Sequence, residues 1–432
     1  RGWLDAHVNL ERGVGTAASG GRKPLPKLAR VEAMLALLGS PQVEYPIVHL
    51  TGTNGKTTTA RMMTALLDTL GVSVGTYTSP HLQTVNERIS HNGEPISDQE
   101  LDEALRIVAL VEPELPEPPS YFDILTGAAL RWFADIAVDA ALIEVGVGGM
   151  YDTTNVVDGA VAVVTNISID HVEYLGPTRE SIAADKAGIV KPGATLVLGE
   201  TDPDLLGFFA EREPAAILRR DHDFGLRNNL AALNGRMLEL YTPNATYSDI
   251  FLPLHGAHQA DNAAIALAAT EAFVGAPLPP EIVAAAFGSV RSPGRLEVVA
   301  RNPLLLLDGA HNVAGAEALR VALQEEFATD APRAMVVGFL REKEPHEMLT
   351  ALGIDDVSLL VCCRPPSPRA LDPELVAQAA ADLGMPNDAI EVVDSVQEAV
   401  GTALLATPED GQVVVTGSLY TVGAARDILV RR

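Results

Sequence analysis

YPIVHLTGTNGKTTTARMMTALL, residues 45–67, sets an apolar run, a glycine-bracketed lysine and an amphipathic pattern end to end. Tyr45 to Leu50 read as a short buried strand, and the pattern from about Thr57 reads as a helix. Gly52 and Gly55 let the backbone turn closely around an anion, and the helix start aims its N–H groups at the same point. Lys56 then reaches the terminal phosphates of a nucleotide, and a following threonine hydroxyl touches the metal that rides with them. The usual phosphate loop has four residues between its glycines, whereas only Thr53 and Asn54 separate Gly52 from Gly55. A glycine turn that merely ends a strand is the bland alternative. The strand before, the helix after and the run of threonines speak against it.

The chain has 432 residues, enough for two or three domains, and is 47% hydrophobic. Its net charge of −26 opposes non-specific nucleic-acid binding, so an anionic substrate must be drawn in by a local positive site. Cys362 and Cys363 are adjacent in an apolar run and so point to opposite faces of a strand, which fits a reducing cytoplasm better than a disulfide or metal site. No apolar run reaches the roughly eighteen residues of a membrane span. The start, RGWLDAHVNLERG, lacks the apolar core of a signal peptide. The chain begins without Met, and its natural N-terminus is expected upstream.

Short apolar strands alternate with helical patterns, the signature of parallel sheets with crossover helices. In the first half, strands are expected near 45–50, 72–77, 139–145, 160–165 and 194–199, with helices near 57–70, 98–111, 121–135 and 178–189: a doubly wound layer carrying the phosphate loop. Residues 222–254 turn polar and turn-rich and suit a small antiparallel element, followed by a helix-rich stretch, 258–288. Ser292, Pro293 and Gly294 interrupt the pattern, giving a division into 1–291, a linker 292–294, and 295–432. The last part repeats the alternation, with strands near 295–300, 303–308, 334–338, 357–362, 389–393 and 412–416, and suits a Rossmann-like α/β domain.

Several strand ends carry candidate chemistry. Glu144 closes the apolar run ALIE before a glycine-rich turn, and a carboxylate there faces the crevice where open sheets bind ligands. It could bind nucleotide-associated magnesium, or simply cap the next helix. VAVVTNISIDHVEYLG, 161–176, runs into Asp170 and His171, a second candidate for the metal. Lys186 reads, on sequence physics alone, as an ordinary solvated helix lysine. Asn262, at the start of an Ala-rich helix with His258 and Gln259, could read an adenine edge or cap the helix. Asp308 and His311 stand at a later strand end beside Gly309, and Arg295 just before it is a candidate phosphate clamp, with a structural salt bridge as its alternative.

These segments, in this order, resemble the folylpolyglutamate synthase and dihydrofolate synthase family, a branch of the Mur ligases. GTNGK, TSPHL at 78–82, NERIS at 86–90, EVGVGG, ISIDHVEYLG, DKAGIVK, HGAHQADNA, SPGRLE, DGAHN and TGSLYTVG at 416–423 all match. The resemblance implies an ATP-dependent amide ligase, with ATP held by Asn54, Gly55, Lys56, Thr57 and Thr58 and by Asn262, Arg295 and Asp308. Ser79, Glu144 and His171 match ligands of two magnesium ions, and Lys186 matches a lysine that relatives carry as a carbamate. The catalytic set it implies is Lys56, His171, Lys186, Arg295, Asp308 and His311. It further implies an acyl phosphate intermediate, attacked by the amine of L-glutamate entering between the domains.

Two positions leave the family's pattern. Thr57 stands where the family usually has glycine; other Mur enzymes also use threonine there. The usual GGRLDATN reads GGMYDTTN, with Met150 and Tyr151 for Arg and Leu. In relatives this loop and the segment matching Ser120, Tyr121, Phe122 and Asp123 lie against the pterin-bearing substrate, so Tyr151, Asp152 and Thr153 are expected there too. The expected partners are therefore ATP, dihydropteroate or a reduced folate, and L-glutamate, with no nucleic acid and no membrane, in a cytoplasmic monomer. The alternatives are a paralogue joining another amino acid to another carboxylate, or a phosphate-loop switch.

Overall fold

The computed structural model describes residues 2–9 and 28–430. Of the opening segment read above for a signal peptide, Arg1 and Leu10–Gly13 lie outside the described residues. Two compact units divide the chain. The first comprises Arg1–Leu230, Met237–Pro253 and Gln259–Val290, and the second Ala231–Arg236, Leu254–His258 and Arg291–Arg432. The second unit thus draws in two short segments that a contiguous division of the sequence leaves in the first part.

In the first unit the strands are β1 (Ile47–Thr51), β2 (Val74–Tyr77), β3 (Ile89–His91), β4 (Glu94–Pro95), β5 (Ala140–Glu144), β6 (Val161–Val164), β7 (Thr195–Leu198) and β8 (Ala216–Arg219). They form one sheet in the order β4-β3-β2-β5-β1-β6-β7-β8. All pairings from β2 to β8 are parallel, while β3 and β4 add an antiparallel edge. Every residue of β1, β5 and β6 is buried, as expected where helices cover both faces of a parallel sheet. β1 lies at the centre: the chain runs from it to β2 on one side, and from β6 to β7 on the other. That reversal opens a crevice outside its carboxyl end.

The polar stretch that follows forms a three-stranded sheet of β9 (Gly225–Ala232), β10 (Gly235–Tyr241) and β11 (Thr246–Leu252). Only Leu233 and Asn234 separate β9 from β10, a connection that forces antiparallel pairing. The helices His258–Val274 and Pro280–Ser289 come next.

In the second unit, β12 (Glu297–Arg301), β13 (Leu304–Leu307), β14 (Arg333–Val337), β15 (Leu359–Cys363), β16 (Ile390–Val393) and β17 (Gln412–Thr416) assemble in the order β12-β13-β17-β14-β15-β16. Only the β12–β13 pair is antiparallel. Leu306, Met335, Val337, Leu360 and Val414 form the middle of its core with Leu319, Leu323 and Leu349 from the covering helices. Cys362 and Cys363 are both buried and unbridged. Among the described residues no helix is long and apolar enough to cross a membrane.

Candidate active site

The phosphate loop follows β1 directly. Gly52 (φ 149°) and Gly55 (φ 85°) occupy backbone conformations that side chains resist. Space forbids side chains as well: a Cβ at Gly52 would stand 1.8 Å from Thr165 Oγ1, and one at Gly55 2.4 Å from Asn262 Oδ1. The segment after β6 holds the loop in shape. Thr165 Oγ1 donates to Asn54 O (2.6 Å), Asn166 Oδ1 accepts from Asn54 N (3.0 Å), and Thr53 Oγ1 donates to Ser168 O (3.0 Å). The helix Lys56–Thr69 then begins at Gly55 with no side chain capping it, the arrangement that suits an anion.

Lys56 Nζ folds back to donate to Gly52 O (2.9 Å) and Thr53 O (3.3 Å). Beside it, Glu144 at the end of β5 is buried, 1% exposed, and pairs across the sheet with Leu50. Thr57 Oγ1 lies 2.9 Å from both of its oxygens, and Ser79 N donates to one of them at 3.3 Å. Glu144 gathers Thr57 and Ser79 at the loop's side, and the next helical turn, Thr153–Val156, is capped by Asp152.

Lys186 is the largest departure from the reading of sequence physics. It is 4% exposed, not solvated, and its Nζ donates to Gly52 O at 3.0 Å. The glycines after Glu144 make this possible: a Cβ at Gly149 would meet the backbone of Lys186 at 2.9 Å, and one at Gly148 would meet Asp185 Oδ1 at 2.3 Å. Burial, and secondarily the Lys56 ammonium, lower the Lys186 pKa to about 7. His171 (φ 50°) starts the short helix Val172–Leu175 and lines one cleft with Lys56, Lys186, Asp170, Gly52 and Val147.

The expected acyl-substrate residues come together nearby. Ser120 caps the helix Tyr121–Asp135 reciprocally with Asp123, and Asp123 also accepts from Thr153 Oγ1 (2.7 Å) and pairs with Arg30. Asp152 is buried; its oxygens accept from Val147 N (3.0 Å), Thr154 N (2.9 Å) and Thr154 Oγ1 (2.6 Å). Burial raises its pKa against those hydrogen bonds. A Cβ at Gly146 would touch the Phe122 ring, whose centroid lies 5.9 Å from that of Tyr77. Tyr121 is buried under the guanidinium of Arg88 (5.8 Å), whereas Tyr151 is 43% exposed. Ser120, Asp123 and Asp152 thus hold backbone.

Asn262 is buried over Gly55, and its Nδ2 donates to Gln259 Oε1 at 3.0 Å. In the second unit, Arg295, Asp308 and His311 meet at the end of β13. Asp308 accepts from Leu296 N (2.8 Å) and Ala310 N (2.9 Å), and burial raises its pKa while Arg295 lowers it. His311 Nδ1 lies 2.9 Å from Gly309 O and so carries the proton. Gly309 packs against Arg295: a Cβ there would stand 2.6 Å from its Nη1.

Sequence reasoning passed over His49, Thr51 and Thr154, although a buried histidine within an apolar strand of a parallel sheet is itself a signal. It also passed over Arg88, 1% exposed, whose Nε donates to His81 Nδ1 (2.9 Å).

Among the described residues no three His, Cys, Asp or Glu side chains converge as a metal cage. The donors gathered at Glu144, its carboxylate and the Thr57 hydroxyl, are hard oxygens, which suit magnesium completed by phosphate and water rather than a protein-only cage.

Residues 122–270 match the Mur ligase middle domain, and residues 294–419 the glutamate ligase domain of Mur ligases. The chain is 41% identical over 443 residues to the dihydrofolate synthase/folylpolyglutamate synthase of Mycobacterium tuberculosis, covering 94% of this chain and 90% of that protein. Two solved structures share the fold. Mycobacterium tuberculosis folylpolyglutamate synthase complexed with ADP and AMPPCP superposes with a TM-score of 0.88 at 40% identity, covering 94% of this chain and 96% of the other. Escherichia coli FolC in complex with DHPP and ADP gives 0.85 at 29% identity, covering 99% and 96%.

Proposed function

We propose that this chain, which belongs to the folylpolyglutamate synthase and dihydrofolate synthase family of Mur ligases, joins L-glutamate to dihydropteroate, to a reduced folate, or to both. It is an ATP-dependent ligase. The observation that carries the reading is the gathering of Lys56, His171 and Lys186 in one cleft at the centre of the sheet, with Glu144 on the adjoining strand end.

A carboxylate is a poor acyl donor because its oxygen leaves badly. In the first step a carboxylate oxygen attacks the terminal phosphorus of ATP, the bond to ADP breaks, and an acyl phosphate forms. In the second, the glutamate amine attacks the acyl carbon, inorganic phosphate leaves with the electron pair of its oxygen, and the amine gives up a proton. Lys56 moves from Gly52 O onto the transferring phosphoryl group and offsets its charge. The uncapped helix start receives the neighbouring phosphates. Ser79, Glu144, His171 and a carbamylated Lys186 are the residues that would hold two magnesium ions. Bound there, magnesium would neutralise the phosphates and polarise the bond that breaks. Carbamylation replaces a buried cation beside Lys56 with an anion, which favours both the neighbouring lysine and the metal.

Asn54, Thr57, Thr58 and Asn262 are assigned to the nucleotide, as are Arg295 and Asp308; His311 is assigned to the transfer. Ser120–Asp123 and Tyr151–Thr153 are assigned to the acyl substrate. The reading includes a cytoplasmic monomer, in keeping with two buried free thiols. Its test is phosphate release with ATP and magnesium, using dihydropteroate or reduced folates with and without L-glutamate. Release that needs both substrates is expected. Release indifferent to either would favour a phosphate-loop switch, and release with another carboxylate alone would favour a paralogue.

A further inference from the structure

Strands buried on both faces of a parallel sheet are ordinarily continuous apolar runs. β1 departs from this at His49 and Thr51, each 0% exposed and, two residues apart, directed to one face. Both reach the same loop. Thr51 Oγ1 donates to Gly148 O at 2.5 Å, and His49 Nε2 lies 2.9 Å from Thr154 Oγ1. The single hydroxyl proton of Thr154 is committed to Asp152 Oδ1 at 2.6 Å. The hydroxyl oxygen therefore accepts from His49, which fixes the ring as its Nε2–H tautomer.

The relay continues. Asp152 Oδ2 accepts from Val147 N (3.0 Å), and Thr153 Oγ1 donates to Asp123 (2.7 Å). The loop 146–154 is thus fastened near its start and at its end by two side chains of the strand that passes, one residue after Thr51, into the phosphate loop. A histidine serving only as filler would be a poor choice. Its ring must be desolvated, and its Nδ1 has no hydrogen-bond partner among the described residues, a cost that an aliphatic side chain avoids.

We propose that His49 and Thr51 are positioning residues that register the loop 146–154 against the phosphate loop, so that the carboxylate of the acyl substrate and the terminal phosphoryl group of ATP meet at attack distance. The proposal rests on the assignment of Tyr151–Thr153 to the acyl substrate. Its functional weight follows from the steepness of such alignment, where a displacement of about 1 Å can cost about a hundredfold in rate.

The test pairs His49→Leu with His49→Gln, which keeps a donor near Nε2, and Thr154→Val with Thr154→Ser, which keeps the hydroxyl. Two readouts are taken on the full chain. Amide hydrogen exchange of residues 146–154 should accelerate about tenfold or more in the Leu and Val variants and return toward the parent in Gln and Ser, with the helix Lys56–Thr69 unchanged. In turnover, kcat/KM for the pteroate or folate should fall about tenfold in Leu and Val while the KM for ATP stays within about twofold, again with rescue. Unchanged exchange in folded Leu and Val variants overturns the proposal, as does a fall in which ATP and acyl parameters suffer equally without rescue. If Leu does not fold, the Thr154 pair decides. A parent enzyme that uses no pteroate or folate overturns the assignment of substrate, and the exchange readout then decides the registration by itself.

Discussion

Lys56 and Lys186 donate to the same acceptor, the carbonyl oxygen of Gly52, at 2.9 and 3.0 Å. Two ammonium groups on one carbonyl repel each other, in keeping with the Lys186 pKa being lowered to about 7 by burial and by Lys56.

Lys56→Ala is expected to lower kcat by about a hundredfold or more, the scale of losing one strong electrostatic stabiliser, with unfolding temperature little changed. Lys56 Nζ donates to Gly52 O and Thr53 O, both carbonyls of its own loop. A folded variant with near-parental turnover would remove the phosphate-site assignment.

Lys186 is expected to take up carbon dioxide reversibly. Enzyme equilibrated with 13C-bicarbonate should show a carbamate carbon resonance that is missing from Lys186→Ala, and turnover should depend on bicarbonate. An enzyme with neither behaviour would have to hold its metal with Ser79, Glu144 and His171 alone.

Arg295→Ala and Asp308→Ala are each expected to cut kcat/KM by about tenfold or more, the range of losing a charge-assisted contact to a reacting nucleotide. The second change also strands Leu296 N and Ala310 N, so a thermal melt should accompany the kinetics. Full activity in a well-folded Arg295→Ala enzyme would return this arginine to a structural role.

His49 is buried and His258 partly buried, with pKa values lowered mainly by desolvation to about 3 and about 4. Both stay neutral when folded but take up a proton near pH 6.5 when unfolded. Stability is accordingly lost as pH falls below 6.5 toward the folded values, by up to about 1.4 kcal/mol per pH unit for each histidine. Urea midpoints at pH 7 and pH 5 should differ in this direction, and His49→Gln should flatten the slope. A midpoint that rises on acidification would contradict it.

Met150→Arg with Tyr151→Leu is expected to shift the ratio of kcat/KM for dihydropteroate and reduced folate by more than about tenfold, or about 1.4 kcal/mol. The backbone of Met150 is pinned: Asn155 Nδ2 donates to its carbonyl at 2.9 Å, and a Cβ at Gly188 would stand 2.4 Å from its Cα. Tyr151 is exposed, so the exchange alters what the loop presents rather than how it is held. An unchanged ratio would assign the pair to structure.

The sheet centre was legible because burial on both faces leaves long apolar runs ending in glycine, as in ALIEVGVGG. β3, β4 and β8 were not: ISH, EP and AILR are short, and on the outer strands little apolar pattern is required. Lys56 and Glu144 could be found from their places after strands. Lys186 could not be found by local physics, since its burial depends on Gly148 and Gly149 nearly forty residues earlier packing against its own helix; the motif DKAGIVK carried it instead. His49 interrupts the apolar run of β1 visibly, but the strand pattern does not show that its ring meets Thr154 more than a hundred residues later.

Glu326 shows why the chain resists dissection. It is buried and pairs with Arg236 and with His255, whose Nδ1 lies 2.8 Å away, while Gly256 N donates to it at 2.8 Å. Those partners come from the two short segments that join the second unit long before its main stretch begins at Arg291. A gene fragment opening at Arg291 would encode Glu326 without Arg236, His255 and Gly256, and so without the ion pair and hydrogen bonds that hold it. A cut that keeps the second unit whole must therefore carry residues 231–236 and 254–258 along with the stretch from Arg291, so the two units are interleaved along the chain and a boundary set at one point of the sequence divides the second of them.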